Sequence, residues 1–192
     1  MIHSPKFTAI LDANVLYPAP VRDLLLHLAT FDLYKPKWTQ TIQEEWKRNL
    51  LNRRPDLKTG QLDKTIHEMN KAFPDASVEL YKSLIPTFDL PDMDDRHVLA
   101  AAVRCHAEVI VTSNLKHFPE KYLSEFEIEA QHPDHFIANL IDLNPEKSLE
   151  AFKQQVSFLR NPPMTASQVL ESLEKAGLSF TCTRLRIKVK QL

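Results

Sequence analysis

Three stretches of this chain end in oxygen-bearing side chains suited to binding a hard cation. The apolar run Phe7-Thr8-Ala9-Ile10-Leu11 closes on Asp12, followed by Ala13-Asn14. Asp92-Met93-Asp94-Asp95 opens an alanine-rich stretch. A second apolar run, Val109-Ile110-Val111, closes on Thr112-Ser113-Asn114. A strand ending in Asp points its carboxylate out of the carboxyl edge of a sheet, where open α/β folds bind ligands. Three such ends suggest one acidic pocket, and pockets of carboxylate and amide oxygen suit Mg²⁺ or Mn²⁺ over Zn²⁺, which prefers His and Cys.

Each residue also has a plainer role to weigh. Asp12 fits a turn or helix cap, since Asp and Asn both favour turns. One of Asp92, Asp94 and Asp95 suffices to cap a helix, so three exceed what capping needs. Helical periodicity separates them. Asp95 shares a face with Val98, Leu99 and Ala102, at offsets of three, four and seven, and leans toward the buried side. There a carboxylate needs a partner or a metal. Asp94 falls about 100° away and faces solvent, and Asp92 precedes the helix as its cap. The same geometry sorts Glu44 from Glu45. The stripe Ile42-Trp46-Leu50 faces the core; Glu45 lies about 60° from Ile42, on its flank, and Glu44 about 160° off. Glu45 can therefore reach a pocket at the edge of the core, or else pair on the surface with Arg48 or Asn49. Asn114 offers an uncharged amide oxygen, and Thr112 and Ser113 can hydrogen-bond the carboxylates.

The elements that must hold these groups read as alternating strands and helices. Strands are expected at 7–12, 31–34, near Thr87-Phe88, at 108–112 and at 126–129. Helices are expected at 19–30, from Thr39 or Thr41 to about Leu51, at 61–73 before Pro74, and at 94–106. Alternation with short links predicts an α/β fold with a central parallel sheet flanked by helices. Beyond residue 130 the texture is helical: 133–142, 146–159, then a break at Asn161-Pro162-Pro163 and a helix from Thr165 to a stop at Gly177. The tail Arg184-Leu185-Arg186-Ile187-Lys188-Val189-Lys190 alternates with period two, as a basic-faced strand would. The expected organisation is a domain over 1–130 and a helical extension with a strand-like tail over 131–192.

Composition narrows the function. At 192 residues the chain can build one sizeable core and a small appendage. A net charge of −1 selects no partner, so nucleic-acid binding would need local basic patches. Only Gly60 and Gly177 are glycines, which excludes glycine-rich phosphate loops. Cys105 and Cys182 give no disulfide framework, Met1–Lys6 lacks a signal-peptide layout, and no apolar run approaches the roughly 20 residues of a membrane span. A cytoplasmic protein without membrane attachment is expected.

The ordered motifs resemble those of the PIN-domain ribonucleases, in particular the VapC-type toxins with Asn in the last acidic position. The matching pieces are Leu11-Asp12-Ala13-Asn14-Val15-Leu16-Tyr17-Pro18, Thr39 to Glu45 before Trp46-Lys47-Arg48-Asn49-Leu50, Pro91-Asp92-Met93-Asp94-Asp95-Arg96-His97-Val98-Leu99-Ala100-Ala101-Ala102, and Ile110-Val111-Thr112-Ser113-Asn114-Leu115-Lys116-His117-Phe118-Pro119. The likeness covers about residues 7–130. It implies a three-layer PIN-like fold and catalytic acids at Asp12, Glu45 and Asp95. Asp12, Asp95 and Asn114 would hold Mg²⁺ or Mn²⁺, with Asp92, Thr112 and Asn14 supporting them. The implied activity is endonucleolytic cleavage of RNA, tRNA or mRNA, by the toxin of a type II toxin–antitoxin pair. The implied partners are a small DNA-binding antitoxin and a second copy in a homodimer. Two departures stand out: Asn114 replaces an acid usual in the wider family, and His117 stands where relatives often carry Asp.

Arg48, Arg53, Arg54, Arg96 and Lys116, with Arg22 and Lys58, are the candidates for holding an RNA backbone. Two other classes stay open: a PIN scaffold that binds RNA or protein without cutting, and a HAD-like phosphatase built on Asp12 and Thr112. Trp38 and Trp46 read as core residues. His132-Pro133-Asp134-His135 reads as a helix start, and His97 with His106 gives no pair site.

Overall fold

The computed structural model describes residues 7–190, with side chains to Lys188. The leader reading rests on residues 1–6 and lies outside the described residues. By their contacts the described residues form two units. One comprises Phe7–Tyr17 and Lys35–Gln131; the other comprises Pro18–Tyr34 and the chain from His132 onward.

The first unit is built on four parallel strands, β1 (Thr8–Leu11), β2 (Lys35–Lys37), β3 (Val109–Val111) and β4 (Glu129–Gln131), in the order β2-β1-β3-β4. The two central strands are continuous apolar runs, buried at Ala9, Ile10, Leu11, Val109, Ile110 and Val111, as strands covered on both faces must be. The edge strands are short and polar, which blunts an edge against further pairing. Register places Leu11 opposite Val111, so the residues just beyond both strands, Asp12 and Thr112, emerge side by side. The strand order reverses at this pair of strands, which is where open parallel sheets carry their ligand crevice.

Helices surround the sheet as the alternation predicts. A one-turn helix, α1 (Ala13–Leu16), follows β1, with Asp12 as its cap. After the segment that belongs to the other unit, α3 (Gln40–Arg53) follows β2, capped by Thr39, whose hydroxyl accepts from the Ile42 N–H at 3.0 Å. Trp38 and Trp46 are core residues here, fully buried. Trp38 bonds Asn70 on α4 (Thr59–Ala72) and meets Phe73 edge to face. A 3-10 turn over Met93–Asp95 leads into α5 (Arg96–Arg104), whose Val98–Ala102 face is wholly buried. A short helix, α6 (Glu120–Leu123), precedes β4.

The strand expectations need correction at three places. Residues 31–34 form a turn: Asp32 takes φ 62°, and the Asp32 and Leu33 N–H groups bond back to the carbonyls of Ala29 and Leu28, closing the preceding helix before β2 begins at Lys35. Lys82–Thr87 is a 3-10 segment, since Pro86 offers no N–H to a ladder, and Phe88 packs against Phe126 instead. Ser124–Phe126 is likewise 3-10, Glu127 takes φ 58°, and β4 starts only at Glu129.

The second unit is helical. It contains α2 (Ala19–Thr30), α7 (Pro133–Leu143), α8 (Pro145–Phe158), α9 (Ala166–Lys175) and α10 (Ser179–Lys190). The stripe Val21, Leu24, Leu25 and Leu28 of α2 is buried, and α2 packs chiefly on α8, tied by Gln155 Nε2 donating to the Pro20 carbonyl at 3.0 Å. Pro18–Tyr34 thus groups with the C-terminal helices rather than with the sheet. His132 caps α7 with Pro133 at its first position, as a helix start. Thr165 and Gln168 form a capping box on α9, and Gly177 takes φ 92° just beyond its end.

The tail is a helix and not the basic strand its alternation suggested. Leu178, Thr181, Cys182 and Leu185 recur at offsets of three, four and seven and are all buried, so the helical period decides over the period-two pattern. Asp134, buried in the first turn of α7, accepts from the Phe180 and Thr181 N–H groups at 2.9 and 2.8 Å and so caps α10 from another helix. Arg184 and Arg186 pair with Asp142 and Glu174 instead of forming an open basic face.

Candidate active site

Asp12 is set by the backbone before any ligand is considered. Its N–H donates to the Val111 carbonyl at 3.1 Å, the last rung between β1 and β3. Its carboxylate is then held on both oxygens. Oδ1 accepts from the Ala13 N–H at 2.6 Å, and Oδ2 accepts from Asn14 Nδ2 at 2.5 Å and from the Thr112 hydroxyl at 2.7 Å. Thr112 Oγ1 in turn accepts from Asn14 Nδ2 at 3.0 Å and from the Asn114 N–H at 3.1 Å, while Asn14 Oδ1 accepts from the Ser113 N–H at 2.9 Å. Asn14 and Thr112 therefore stitch the ends of the two central strands into one rigid corner.

Asp12 lines a cavity of about 500 Å³ together with Asn14, Glu45, Asp95 and Asn114. The helix-face sorting holds in space: Glu45 lines this cavity, whereas Glu44 is exposed and accepts from Gln40 at 2.7 Å. Asp95 lines it half-buried, whereas Asp94 is exposed. Asp92 caps the turn ahead of α5 by accepting from the Asp94 N–H at 3.0 Å.

The electrostatics follow from crowding carboxylates at a partly dry edge. Burial pushes the Asp12 carboxyl up to about 6; the Thr112 hydroxyl opposes this, Asp95 and Glu45 add to it, and the Ala13 N–H opposes it weakly. Asp95 is raised as well, chiefly by burial, against the pull of His117 and with the push of Asp92 and Glu45. A cation among these oxygens would relieve both. Three carboxylates and a neutral amide are an oxygen donor set, the kind that fits a hard divalent ion.

Three features escaped the sequence reading. His117 Nδ1 lies 2.7 Å from Asp95 Oδ2 and 3.5 Å from Asp92 Oδ2, and these three residues offer ligand atoms within 4.8 Å of one another. His97 Nε2 lies 3.4 Å from Glu45 Oε2. Asn49 and Asn52 line the cavity beside Glu45, next to Arg53, which the sequence did single out, and Tyr17. The signal for Asn49 and Asn52 was available, because both fall on one helical face with Glu45. Charge alone had drawn attention to the neighbouring basic residues instead.

Of those basic residues, Arg53 alone lines the cavity among the described residues. Arg54 is engaged by Asp56 at 2.7 and 2.8 Å, and Arg96 by Asp89 at 3.1 Å. Arg48 and Lys116 are exposed and do not line it. Arg22 is buried beside Asp23 in the helical unit.

Comparison with known proteins gives the family of the sheet-bearing part. A family model described as the PIN domain matches residues 8–116, more than half of the chain, and the chain belongs to the PIN-domain family. A second model, the VapC50 C-terminal domain, matches residues 133–187. The chain is similar to a Mycobacterium tuberculosis protein named "Putative ribonuclease VapC50", at 43% identity over 93 residues, covering 48% of this chain and 55% of that protein. The chain thus spans about half the length of this curated relative. No solved structure matches. Family membership sets the phosphatase alternative aside. Locally, the residue that alternative needs as a second acid is Asn14, whose amide is spent on Asp12 and Thr112.

Proposed function

We propose that this chain is a metal-dependent endoribonuclease acting as the toxin of a type II toxin–antitoxin pair. The observation that carries the reading is the convergence of Asp12, Glu45 and Asp95, with Asn114, on one cavity at the carboxyl edge of the sheet. Asp12, Asp95 and Asn114 would hold Mg²⁺ or Mn²⁺. When bound, the ion supplies charge neutralisation at the phosphodiester and a lowered pKa for the attacking water. Asn14 and Thr112 keep the Asp12 carboxylate in one orientation, and His117 does the same for Asp95. Glu45 faces the cavity and orients the attacking water. In-line attack then leaves a 5′-phosphate.

In this reading the nuclease part is the chain up to about residue 130, and the helices beyond it are an appended element. The substrate is RNA, and the partners are a small DNA-binding antitoxin and a second copy of the chain. Similarity to a protein named as a ribonuclease of the VapC series supports the RNA substrate and the antitoxin. Among the described residues no helix is long and apolar enough to cross a membrane, which is consistent with a cytoplasmic role.

A non-cutting scaffold is favoured by one observation: Asn114 is exposed and uncharged, so the site has three carboxylates where a fourth would strengthen cation binding. Incubation of end-labelled RNA with Mn²⁺, Mg²⁺ or EDTA decides between the two. The nuclease reading expects internal cuts with 5′-phosphate ends in both metals and none in EDTA. Intact RNA in both metals, with no metal-induced rise in melting temperature, supports the scaffold.

A further inference from the structure

Helix α3 turns one face to the cavity for about two turns, through Glu45, Asn49, Asn52 and Arg53. The chemistry is graded along that face. Glu45 stands with the carboxylates Asp12 and Asp95; Asn49 and Asn52 are uncharged; Arg53 lies about 12 Å further along the axis, at 1.5 Å per residue. The Arg53 guanidinium carbon sits 5.6 Å from the centre of the Tyr17 ring, over its face, so a cation–aromatic contact is already assembled in the cavity wall.

Two other polar side chains of α3 have partners: exposed Glu44 with Gln40, and half-buried Lys47 with Asp63 on α4. Among the described residues, the Asn49 and Asn52 amides, exposed and facing the cavity, have none. A side-chain amide offers a donor and an acceptor together, which is the pattern of a base edge. A ring with a guanidinium on it offers the stacking surface on which unpaired bases are held. A peptide or a second protein would gain little from two adjacent neutral amides beside a carboxylate cluster, whereas an RNA strand presents phosphate to the one and base to the other.

We propose that Tyr17, Asn49, Asn52 and Arg53 form a subsite for one unpaired nucleobase flanking the phosphodiester held at the carboxylates. The amides read the edge of the base, and the Arg53–Tyr17 pair carries its face. This rests on the ribonuclease reading and adds to it a place where base preference is set.

The test is fluorescence anisotropy with a set of labelled RNA hexamers, each lacking the base at one position, in Ca²⁺ to keep hydrolysis slow. With the unaltered protein, removing the base at one position is expected to weaken binding about tenfold, the scale of a lost stacked base. In Asn49→Ala, Asn52→Ala and Arg53→Ala that penalty is expected to shrink to about twofold or less, with Mn²⁺-induced thermal stabilisation unchanged. The two Asn positions are exposed, so their replacement leaves the fold intact. A penalty of the same size in all three variants overturns the subsite, as does equal binding of every hexamer. RNA bound with the expected pattern but never cut upholds the subsite and defeats the nuclease reading. RNA cut without any position dependence does the reverse. RNA not bound at all defeats both.

Discussion

Replacing Asp12 by Asn should make the fold more stable while removing its chemistry. Asp12 is 3% exposed, and its carboxyl is raised from an ordinary 3.8 to about 6, chiefly by burial. Below pH 3.8 the group is protonated in both folded and unfolded chains and costs nothing extra. Between 3.8 and 6 the unfolded chain ionises first, so stability falls as pH rises; above 6 the loss is complete. At about 1.36 kcal/mol per pH unit, that interval amounts to about 3 kcal/mol. Asn escapes the charge penalty but puts an amide N–H where Asn14 Nδ2 and the Thr112 hydroxyl now donate, a loss of about 1–2 kcal/mol. The net gain is about 1–2 kcal/mol, or about 2–8 °C in the melting of a chain this size. Calorimetry in EDTA from pH 4 to 8 reads it: the variant melts higher at pH 7.5, and the order reverses toward pH 4, where the charge penalty has largely gone and the lost hydrogen bonds remain. A variant that melts at or below the unaltered protein at pH 7.5, by a margin independent of pH, would refute the reasoning.

Other outcomes follow from particular contacts. Glu45→Gln should lower metal-dependent RNA cleavage about 100-fold or more, on the scale of a lost acid–base group, and Glu44→Gln should leave it unchanged, as single-turnover assays would show. His117→Leu removes the partner of Asp95 and should weaken Mn²⁺ binding about tenfold, whereas His117→Asn, which keeps an N–H near the place of Nδ1, should retain most of it. A metal titration followed by fluorescence separates these, and equal loss in both variants would count against an orienting role. Asp134→Ala leaves the first amides of α10 without their acceptor and should cost about 1–3 kcal/mol; hydrogen exchange at Phe180 and Thr181 should accelerate.

Legibility in the sequence tracked how local each signal was. The central strands, α2, α3 and the helices α7 to α9 announce themselves through apolar runs, stripes and caps that lie within the element itself. The edge strands β2 and β4 are three residues long and polar, so their positions are set by pairing with β1 and β3, and the expected positions were displaced. Helix α10 was hidden by a chance alternation from Arg184 onward, and its cap, Asp134, sits 47 residues away, beyond any local pattern. In the site, the choice of Glu45 over Glu44 and Asp95 over Asp94 needed only helical geometry, and the cavity lining agrees. Asn49 reads from the sequence only as a surface partner of Glu45, and Asn52 carries no charge to single it out, although the spacing of both from Glu45 is plain. The His117–Asp95 contact depends on how the turn after β3 folds back toward α5, which spacing does not encode.

The central claim is that the Asp12–Glu45–Asp95 cavity seats a divalent cation that makes the chain an RNA-cutting enzyme. Mn²⁺ binding and RNA cleavage measured on the same preparations of the unaltered protein, Asp12→Asn and Asp95→Asn test it most directly. The expected result is saturable Mn²⁺ binding with internal RNA cleavage in the unaltered protein and loss of both in each variant, with the fold retained. Cleavage that survives in Asp12→Asn, or RNA cut equally well in EDTA, would contradict it.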